Sequence, residues 1–159
     1  MSKTNIGELI TDLLKVEGGQ TDDPTDSGGR TKFGISKKAF PHLNIFDITE
    51  DQARDIYKDR YFRGPGFDKL PAEIQAAMFD YGVNSGPAIA TKALQRVVGV
   101  NADGALGPMT LAQVATFPPA DLLLGVTRER SRMLCNLVQR RPKDVKFVEG
   151  WIMRALSFL

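Results

Sequence analysis

The chain is poor in the residues that crosslink small proteins or hold metals. Its 159 residues include one cysteine, Cys135, and one histidine, His42. A single cysteine excludes an internal disulfide framework, and a single histidine excludes most histidine-rich zinc sites. No residue pattern in the chain implies a metal or an organic cofactor.

Long apolar runs are also missing. No stretch approaches the roughly 18 consecutive apolar residues of a membrane-spanning helix, so no transmembrane segment is expected. The first residues show neither the apolar core nor the small-residue cleavage site of a secretory signal peptide, so we expect synthesis in the cytoplasm. With 42% hydrophobic and 25% charged residues, the chain can nevertheless fill a core.

Positive charge is scarce in the first half and concentrated in the second. Residues 1–80 carry 11 Lys/Arg against 14 Asp/Glu, and residues 81–159 carry 10 against 5. Much of the excess lies between Arg128 and Lys146. A basic surface of this kind favours a polyanionic partner such as cell envelope, nucleic acid or acidic lipid, although a solvated helix surface explains it equally well. No helix-turn-helix or aromatic-basic sheet motif is present, so we expect no nucleic-acid partner.

The apolar spacing predicts a mainly α protein with a minor β element. Asn5 and Glu8 begin a helix that Gly18-Gly19 ends, and a small β-hairpin is predicted around Arg30–Ile35. Thr49 and Gln52 form a predicted capping box ahead of a second helix. Proline residues and helical periodicity then predict further helices at 72–81, 88–98, about 108–115, about 120–140 and from about 144 to the C-terminus.

The strongest candidate for chemistry is Glu17, at the end of the first predicted helix. The helix macrodipole places partial negative charge there, which disfavours ionisation and predicts a raised pKa for the carboxyl group. A carboxylic acid with a raised pKa is what a general acid needs near neutral pH. The alternative is an ordinary surface glutamate at a frayed helix end.

The loop after Glu17 supplies possible partners. Asp22, Asp23 and Asp26 lie 5, 6 and 9 residues further on, and Thr31 follows Asp26 by five. Hydrolysis of a glycosidic bond needs an acid and a second carboxylate that activates water or stabilises the transition state. A calcium loop is disfavoured because the ligand spacing is wrong, whereas ordinary turn chemistry would also explain these residues.

A cysteine peptidase is disfavoured by the surroundings of Cys135 and His42. Cys135 lies in an apolar-rich helical stretch, where we expect a buried thiol that packs as a small hydrophobe. His42 follows a proline in a predicted loop. Taken individually, each of Tyr57, Tyr61 and Tyr81 is expected to be half-buried and not to stack on a ligand, although tyrosines in clefts commonly stack on sugars.

Several of these residues together resemble a known family. The run Glu17-Gly-Gly with Pro24, Asp26, Gly28-Gly29, Thr31 and Phe33-Gly34-Ile35 is similar to the signature of glycoside hydrolase family 108. Residues 80–86 (DYGVNSG) resemble the central helix motif of that family, and residues 93–95 with 103–110 resemble its predicted peptidoglycan-binding segment. Phe147, Gly150, Trp151 and Arg154 resemble its C-terminal motif. Two positions depart from the family pattern: Gln20 replaces an aromatic residue, and Tyr61-Phe62 replaces Tyr-Trp.

The resemblance implies roles for individual residues. Glu17 is implied as the proton donor, and Asp26 and Thr31 as the residues that orient the hydrolytic water, with Asp22 or Asp23 as rivals for Asp26. Five further positions are implied as substrate-binding: Arg30, Tyr57, Tyr61, Tyr81 and Asn84.

The resemblance also implies a fold and an activity. The fold would be α+β and lysozyme-like, with a small β-hairpin lobe after the first helix packed on a helical lobe and a cleft between them. Residues 1–159 would form a single domain, with a catalytic part at 1–90 and an integrated peptidoglycan-binding-like part at 91–159.

The implied activity is that of a lysozyme, an N-acetylmuramidase with an endolysin-like role. It would cleave the β-1,4 bond between N-acetylmuramic acid and N-acetylglucosamine in peptidoglycan strands. A lytic transglycosylase and a non-catalytic wall-binding module are the alternatives. We expect release to the periplasm or cell wall through a holin, with the basic C-terminal helices in contact with anionic envelope polymers.

Overall fold

The computed structural model describes residues 5–17, 20–21 and 31–159, with the backbone alone for residues 16, 17, 20 and 21. Within these ranges the chain divides into two compact units. One is Gly7–Arg60, and the other contains Tyr61–Leu159.

The first unit combines two helices with a small antiparallel sheet. Helix α1 spans Ile6–Glu17 and helix α2 spans Glu50–Lys58. The sheet contains the two-residue strands β1 (Gln20–Thr21), β2 (Thr31–Lys32) and β3 (Ile35–Ser36), in that order. Strands β2 and β3 confirm the predicted hairpin, whereas β1 is an additional strand that the sequence pattern did not indicate.

The β2–β3 hairpin closes through Phe33-Gly34, two residues with positive φ. Their φ angles are 54° and 71°. Two consecutive left-handed residues form the tight turn whose twist matches paired strands, and Gly34 adopts this conformation without steric cost. Phe33 does so at a cost, and the Tyr57 hydroxyl donates a hydrogen bond of 2.9 Å to its carbonyl oxygen. Helix α2 thus helps to hold a strained turn.

Helix α2 begins at the predicted capping box. Thr49 accepts a hydrogen bond from the Gln52 amide, and the Gln52 side chain accepts one from the Thr49 amide. Arg54 links α2 to α1, because its Nη1 donates to Thr11 Oγ1 at 2.6 Å. The helix continues beyond Lys58 as one turn of π-helix.

The second unit contains five helices. These are α3 (Ala72–Ser85), α4 (Pro87–Val98), α5 (Pro108–Val114), α6 (Pro119–Arg140) and α7 (Val145–Leu156). The five helices predicted for this part of the chain are therefore confirmed. The prediction that helix α3 ends at Tyr81 was wrong. Helix α3 runs four residues further because its backbone hydrogen bonds continue until Gly86.

Helix α3 lies at the centre of this unit. Eight of its residues are buried, and it packs against α4 and α6. Helices α4 and α6 also pack together closely: a Cβ atom at Gly125 would come within 2.6 Å of Val97 Cγ1. A larger residue at this position would therefore push the two helices apart.

A buried carboxylate links three helices of the unit. Asp80 on α3 is 3% exposed and faces two arginines. Arg154 on α7 donates from Nε and Nη2 to Asp80 Oδ1 at 2.9 and 2.6 Å, and Arg130 Nη1 on α6 lies 2.8 Å from Oδ2. The Arg130 contact is an ion pair without hydrogen-bond geometry, so Oδ2 and Arg130 Nε have no hydrogen-bond partner among the described residues. We call Asp80, Arg130 and Arg154 the Asp80 clasp.

Tyr81 lies beside this clasp and is almost fully buried. Its side chain is 1% exposed, and the Arg130 guanidinium lies 5.2 Å from the ring centroid. Burial raises the pKa of the Tyr81 hydroxyl to about 12, although the positive charge of Arg130 acts in the opposite direction.

The prediction that Cys135 is buried was wrong. The thiol is free and exposed, because Leu134 takes the buried position in this turn of α6 and the next residue points away from the core. No single helix in the described ranges is long and apolar enough to cross a membrane. The pair α5 and α6, bent by 117°, meets that length and composition test only when taken together.

The observed elements confirm a mainly α, α+β lysozyme-like fold with a small β-hairpin after the first helix. The division of a single domain at residue 90 stays a prediction.

Removal of the Asp80 charge should destabilise the protein strongly. Asp80→Asn leaves the buried Arg130 without a counter-charge, and the expected loss is about 3–5 kcal/mol of unfolding free energy. Arg154→Gln should cost less, since the Arg154 side chain is 49% exposed and water can replace it. Urea unfolding measures both. Glu149→Gln, an exposed control on α7, should stay within about 0.5 kcal/mol, and an equally small effect of Asp80→Asn would contradict a structural clasp.

The Tyr81 hydroxyl should ionise unusually late in an alkaline titration. Because its folded pKa is raised from 10.0 to about 12, its contribution to stability is present below pH 10 and is lost as the pH rises towards 12. Tyrosinate absorbance should contain a component near pH 12 that Tyr81→Phe removes and Tyr61→Phe keeps. A component that survives in Tyr81→Phe would show that another group causes it.

Candidate functional site

The predicted proton donor lies where the sequence analysis places it along the backbone. Glu17 is the last residue of α1, a helix whose Leu9, Ile10 and Leu14 are buried. The buried positions follow the 3.6-residue period, so one face of α1 packs while its C-terminal end leads into the sheet. The role of Glu17 as a general acid stays a prediction.

The predicted water-binding residues fall partly within the structure. Thr31 begins β2, where it pairs with Thr21 on one side and Ser36 on the other. Four predicted residues, Asp22, Asp23, Asp26 and Arg30, lie outside the described residues. The structure therefore places Thr31 in a defined strand, while its partnership with one of the aspartates stays a prediction.

Tyr57 was expected to bind substrate, and the structure shows a contact within its own unit. The side chain is 6% exposed, and its hydroxyl donates to the carbonyl of Phe33 in the hairpin turn. Phe33 follows Thr31 by two residues, so this hydrogen bond helps to set the path of β2. Any effect of Tyr57 on substrate would therefore act in part through the position of the hairpin.

The other three predicted substrate-binding residues differ in exposure. Tyr61 is half-buried in the π-helical turn, and Asn84 near the end of α3 is exposed. Asn84 Nδ2 donates to the Asp80 carbonyl at 2.7 Å, which leaves its side-chain oxygen directed elsewhere. Tyr81 exposes almost no surface on which a sugar ring could stack.

A groove along α2 is a feature that the sequence analysis missed. Gln52 and Asp55 on α2, and Asp59 directly after it, recur at helical spacing, and residues of the segment 40–48 also line the groove. The cavity has a volume of about 420 Å³. It is lined by Phe40, His42, Leu43, Asn44, Asp47, Ile48, Gln52, Asp55 and Ile56.

The chemistry of this groove suits a polar organic ligand. The Arg60 guanidinium lies 5.0 Å from the centroid of the Phe40 ring, and the His42 ring meets Phe40 edge-on at 6.2 Å. Asn44 Nδ2 donates a hydrogen bond to Asp47 Oδ2. Aromatic and aliphatic walls with carboxylates at the rim can hold hydroxyl or amino groups of a ligand. The signal in the sequence is the i, i+3, i+7 spacing of Gln52, Asp55 and Asp59.

The predicted peptidoglycan-binding segment is organised around a buried glutamine. Gln95 on α4 donates from Nε2 to Asp103 Oδ1, the Ala105 carbonyl and Thr110 Oγ1, at 2.8, 3.0 and 3.2 Å. Its Oε1 accepts from the Gly104 amide at 2.8 Å. Hydrogen bonds from Ala105 and then Gln95 hold the pKa of Asp103 below its ordinary value. These polar groups serve the loop itself, so a ligand would have to contact its outer surface.

The described residues contain no group of three His, Cys, Asp or Glu that could hold a metal ion.

Comparison with known proteins gives two matches that together span most of the chain. Residues 10–86 match the glycosyl hydrolase 108 family, and residues 89–156 match a predicted peptidoglycan domain. No curated protein matches the sequence. Among solved structures, the chain is similar to SagA from Brucella abortus, with 31% identity over 99% of this chain and 97% of that one, and a TM-score of 0.73.

These matches support a glycoside hydrolase that acts on peptidoglycan. The chain belongs to glycosyl hydrolase family 108 and carries the predicted peptidoglycan domain in its C-terminal half.

Proposed function

We propose that the protein is an N-acetylmuramidase that hydrolyses the β-1,4 bond between N-acetylmuramic acid and N-acetylglucosamine. The observation that carries this proposal is the place of Glu17 as the last residue of α1, directly ahead of the sheet that contains Thr31. A glycoside hydrolase needs one carboxylic acid at a fixed position, and a helix end supplies a rigid one. Endolysin-like lysis of the cell wall is the role we propose for this activity.

In the proposed mechanism Glu17 protonates the oxygen of the leaving sugar. A water molecule held by Asp26 and Thr31 attacks the anomeric carbon, and the second carboxylate removes a proton from that water. Attack from the opposite face of the ring inverts the anomer, which requires carboxyl groups about 6.5–9.5 Å apart, against about 5–5.5 Å for a retaining pair. Asp22 and Asp23 remain rivals for the part of Asp26.

We assign the proposed substrate contacts according to the exposure of each side chain. Asn84 and Tyr61 present side-chain surface and are the described residues that we assign to direct contact with the glycan, together with Arg30. Tyr57 supports the strand that carries Thr31, since its hydroxyl binds the hairpin turn. We assign Tyr81 to the core and not to direct contact with the glycan, because it is 1% exposed.

Glu17→Gln should abolish most of the activity while leaving the fold intact. The amide keeps the size of the side chain but cannot donate the proton, and general acid catalysis contributes about 10²–10⁴-fold. Release of dye from labelled, purified peptidoglycan measures the rate, and circular dichroism checks the fold. Glu8→Gln, an exposed glutamate on the same helix, is the matched control and should keep wild-type activity. Wild-type hydrolysis by Glu17→Gln would refute the assignment.

The second carboxylate can be identified by comparing three neighbouring aspartates. Asp26→Asn should lower the rate by about 10²–10⁴-fold if Asp26 is the working base, whereas Asp22→Asn and Asp23→Asn should have small effects. Thr31→Val should also lower the rate, because it removes the hydroxyl that helps to hold the water. If Asp22→Asn or Asp23→Asn shows the large loss instead, the base is at that position and the role of Asp26 is wrong.

A further inference from the structure

The C-terminal helix exposes an unusual amount of apolar side chain. Of the eight large hydrophobic residues that are exposed in the described part of the chain, five lie within residues 145–159. Val145, Met153 and Leu156 are 58%, 60% and 41% exposed, and Leu159 follows with 58%. Scattered apolar residues are normal on protein surfaces, but a concentration on one element indicates a contact surface.

Three of these residues share one side of α7. At about 100° per residue, Val145, Met153 and Leu156 lie within about 80° of one another around the helix axis. Away from this side, Ala155 is buried and Arg154 binds Asp80. Phe147, which is 49% exposed, lies about 160° from Val145 and stacks on Trp151 with 5.9 Å between the ring centroids, so it is not part of this set. We call Val145, Met153 and Leu156 the α7 apolar face; the acidic side chain of Glu149 also lies on this side.

Positive charge is concentrated in the segment that leads into α7. Residues 140–159 contain five Lys/Arg and two Asp/Glu. Four of the basic residues, Arg140, Arg141, Lys143 and Lys146, are exposed, and no ion pair joins them to a carboxylate among the described residues. Interaction with the α6 dipole accounts for Arg140 at the helix end, but not for Lys146 at the start of α7.

We propose that the α7 apolar face and the exposed basic residues Arg140, Arg141, Lys143 and Lys146 dock on the surface of an anionic lipid bilayer. Such a surface offers both interactions at once: the apolar side chains enter the boundary between headgroups and acyl chains, and the cations meet lipid phosphates. Helix α7 would lie parallel to the membrane plane. This proposal does not depend on the muramidase activity proposed above.

Other occupants fit the surface less well. An anionic wall polymer would pair with the basic residues but would leave Val145, Met153 and Leu156 in water. A symmetric dimer through this face would bring two copies of the same net positive segment together, which like-charge repulsion opposes.

Vesicle flotation tests the proposal with the whole 159-residue chain. Vesicles of phosphatidylcholine mixed with phosphatidylglycerol should bind the protein, whereas vesicles of phosphatidylcholine alone should not. Met153→Gln with Leu156→Gln should weaken binding by about tenfold or more, because the apolar contact is lost while helix propensity is kept. Met109→Gln with Ile89→Gln, which changes two exposed apolar residues outside α7, is the matched control and should bind like the wild type.

The charge requirement has its own pair of variants. Arg141→Gln, Lys143→Gln and Lys146→Gln together should weaken binding to anionic vesicles, and so should added salt. Lys15→Gln, Lys38→Gln and Lys69→Gln, three exposed lysines elsewhere, form the control. Glu17→Gln should float with vesicles like the wild type, so a failure of the muramidase assignment and a failure of lipid binding are distinguishable.

Several outcomes would overturn the proposal. Absence of binding to both kinds of vesicle would do so, as would equal binding to neutral vesicles. Binding that depends on the three cations but not on Met153 and Leu156 would indicate a polyanion site instead. If light scattering showed a dimer that Met153→Gln with Leu156→Gln dissociates, the occupant would be a second copy of the chain.

Discussion

The helical unit depends on one buried charge interaction. Asp80 lies at the centre of α3 and is held from two sides, by Arg130 on α6 and by Arg154 on α7. The buried carboxylate couples the three helices, because its charge is compensated only when α6 and α7 turn their guanidinium groups towards α3. The orientation of α7 follows from this constraint. With Arg154 turned towards α3, the side that carries Val145, Met153 and Leu156 points to solvent.

The first unit depends on a different constraint, the strained turn at Phe33-Gly34. The turn keeps β2 and β3 in register, and the Tyr57 hydroxyl supports it from α2. Arg54 in turn ties α2 to Thr11 on α1, the helix that ends with Glu17. Helix α2 therefore contacts both α1, which ends with the proposed acid, and the hairpin that contains the proposed water-binding threonine. A change at Tyr57 would therefore affect the strand that carries Thr31 through the hairpin turn.

Local signals in the sequence predict most of the secondary structure. The Thr49 and Gln52 capping box, the hairpin before Ile35 and the prolines that open α4 and α5 act through nearby backbone groups, so short stretches of sequence are sufficient. Long-range features were not predictable in this way. The exposure of Cys135 depends on how α6 is rotated, and the burial of Tyr81 depends on packing against neighbouring helices. The pairing of Asp80 with Arg130 and Arg154 joins residues far apart in the chain.

The candidate site also contains some features that local sequence predicts and others that depend on contacts between separate segments. The helix-end position of Glu17 was predictable from the glycines that follow it, and the β2 position of Thr31 from the hairpin pattern. The groove along α2 was missed because its two walls come from separate segments. Gln95 was noted only as part of a motif, although its side chain organises the loop from Asp103 to Thr110 through four hydrogen bonds.

The most direct test of the central claim is mass spectrometry of the fragments released from purified peptidoglycan. A muramidase with Glu17 as its acid should give fragments with reducing N-acetylmuramic acid ends from the wild type and none from Glu17→Gln. Fragments with 1,6-anhydro ends would instead identify a lytic transglycosylase. Cleaved peptides, or no products from the wild type, would contradict the proposed glycosidase.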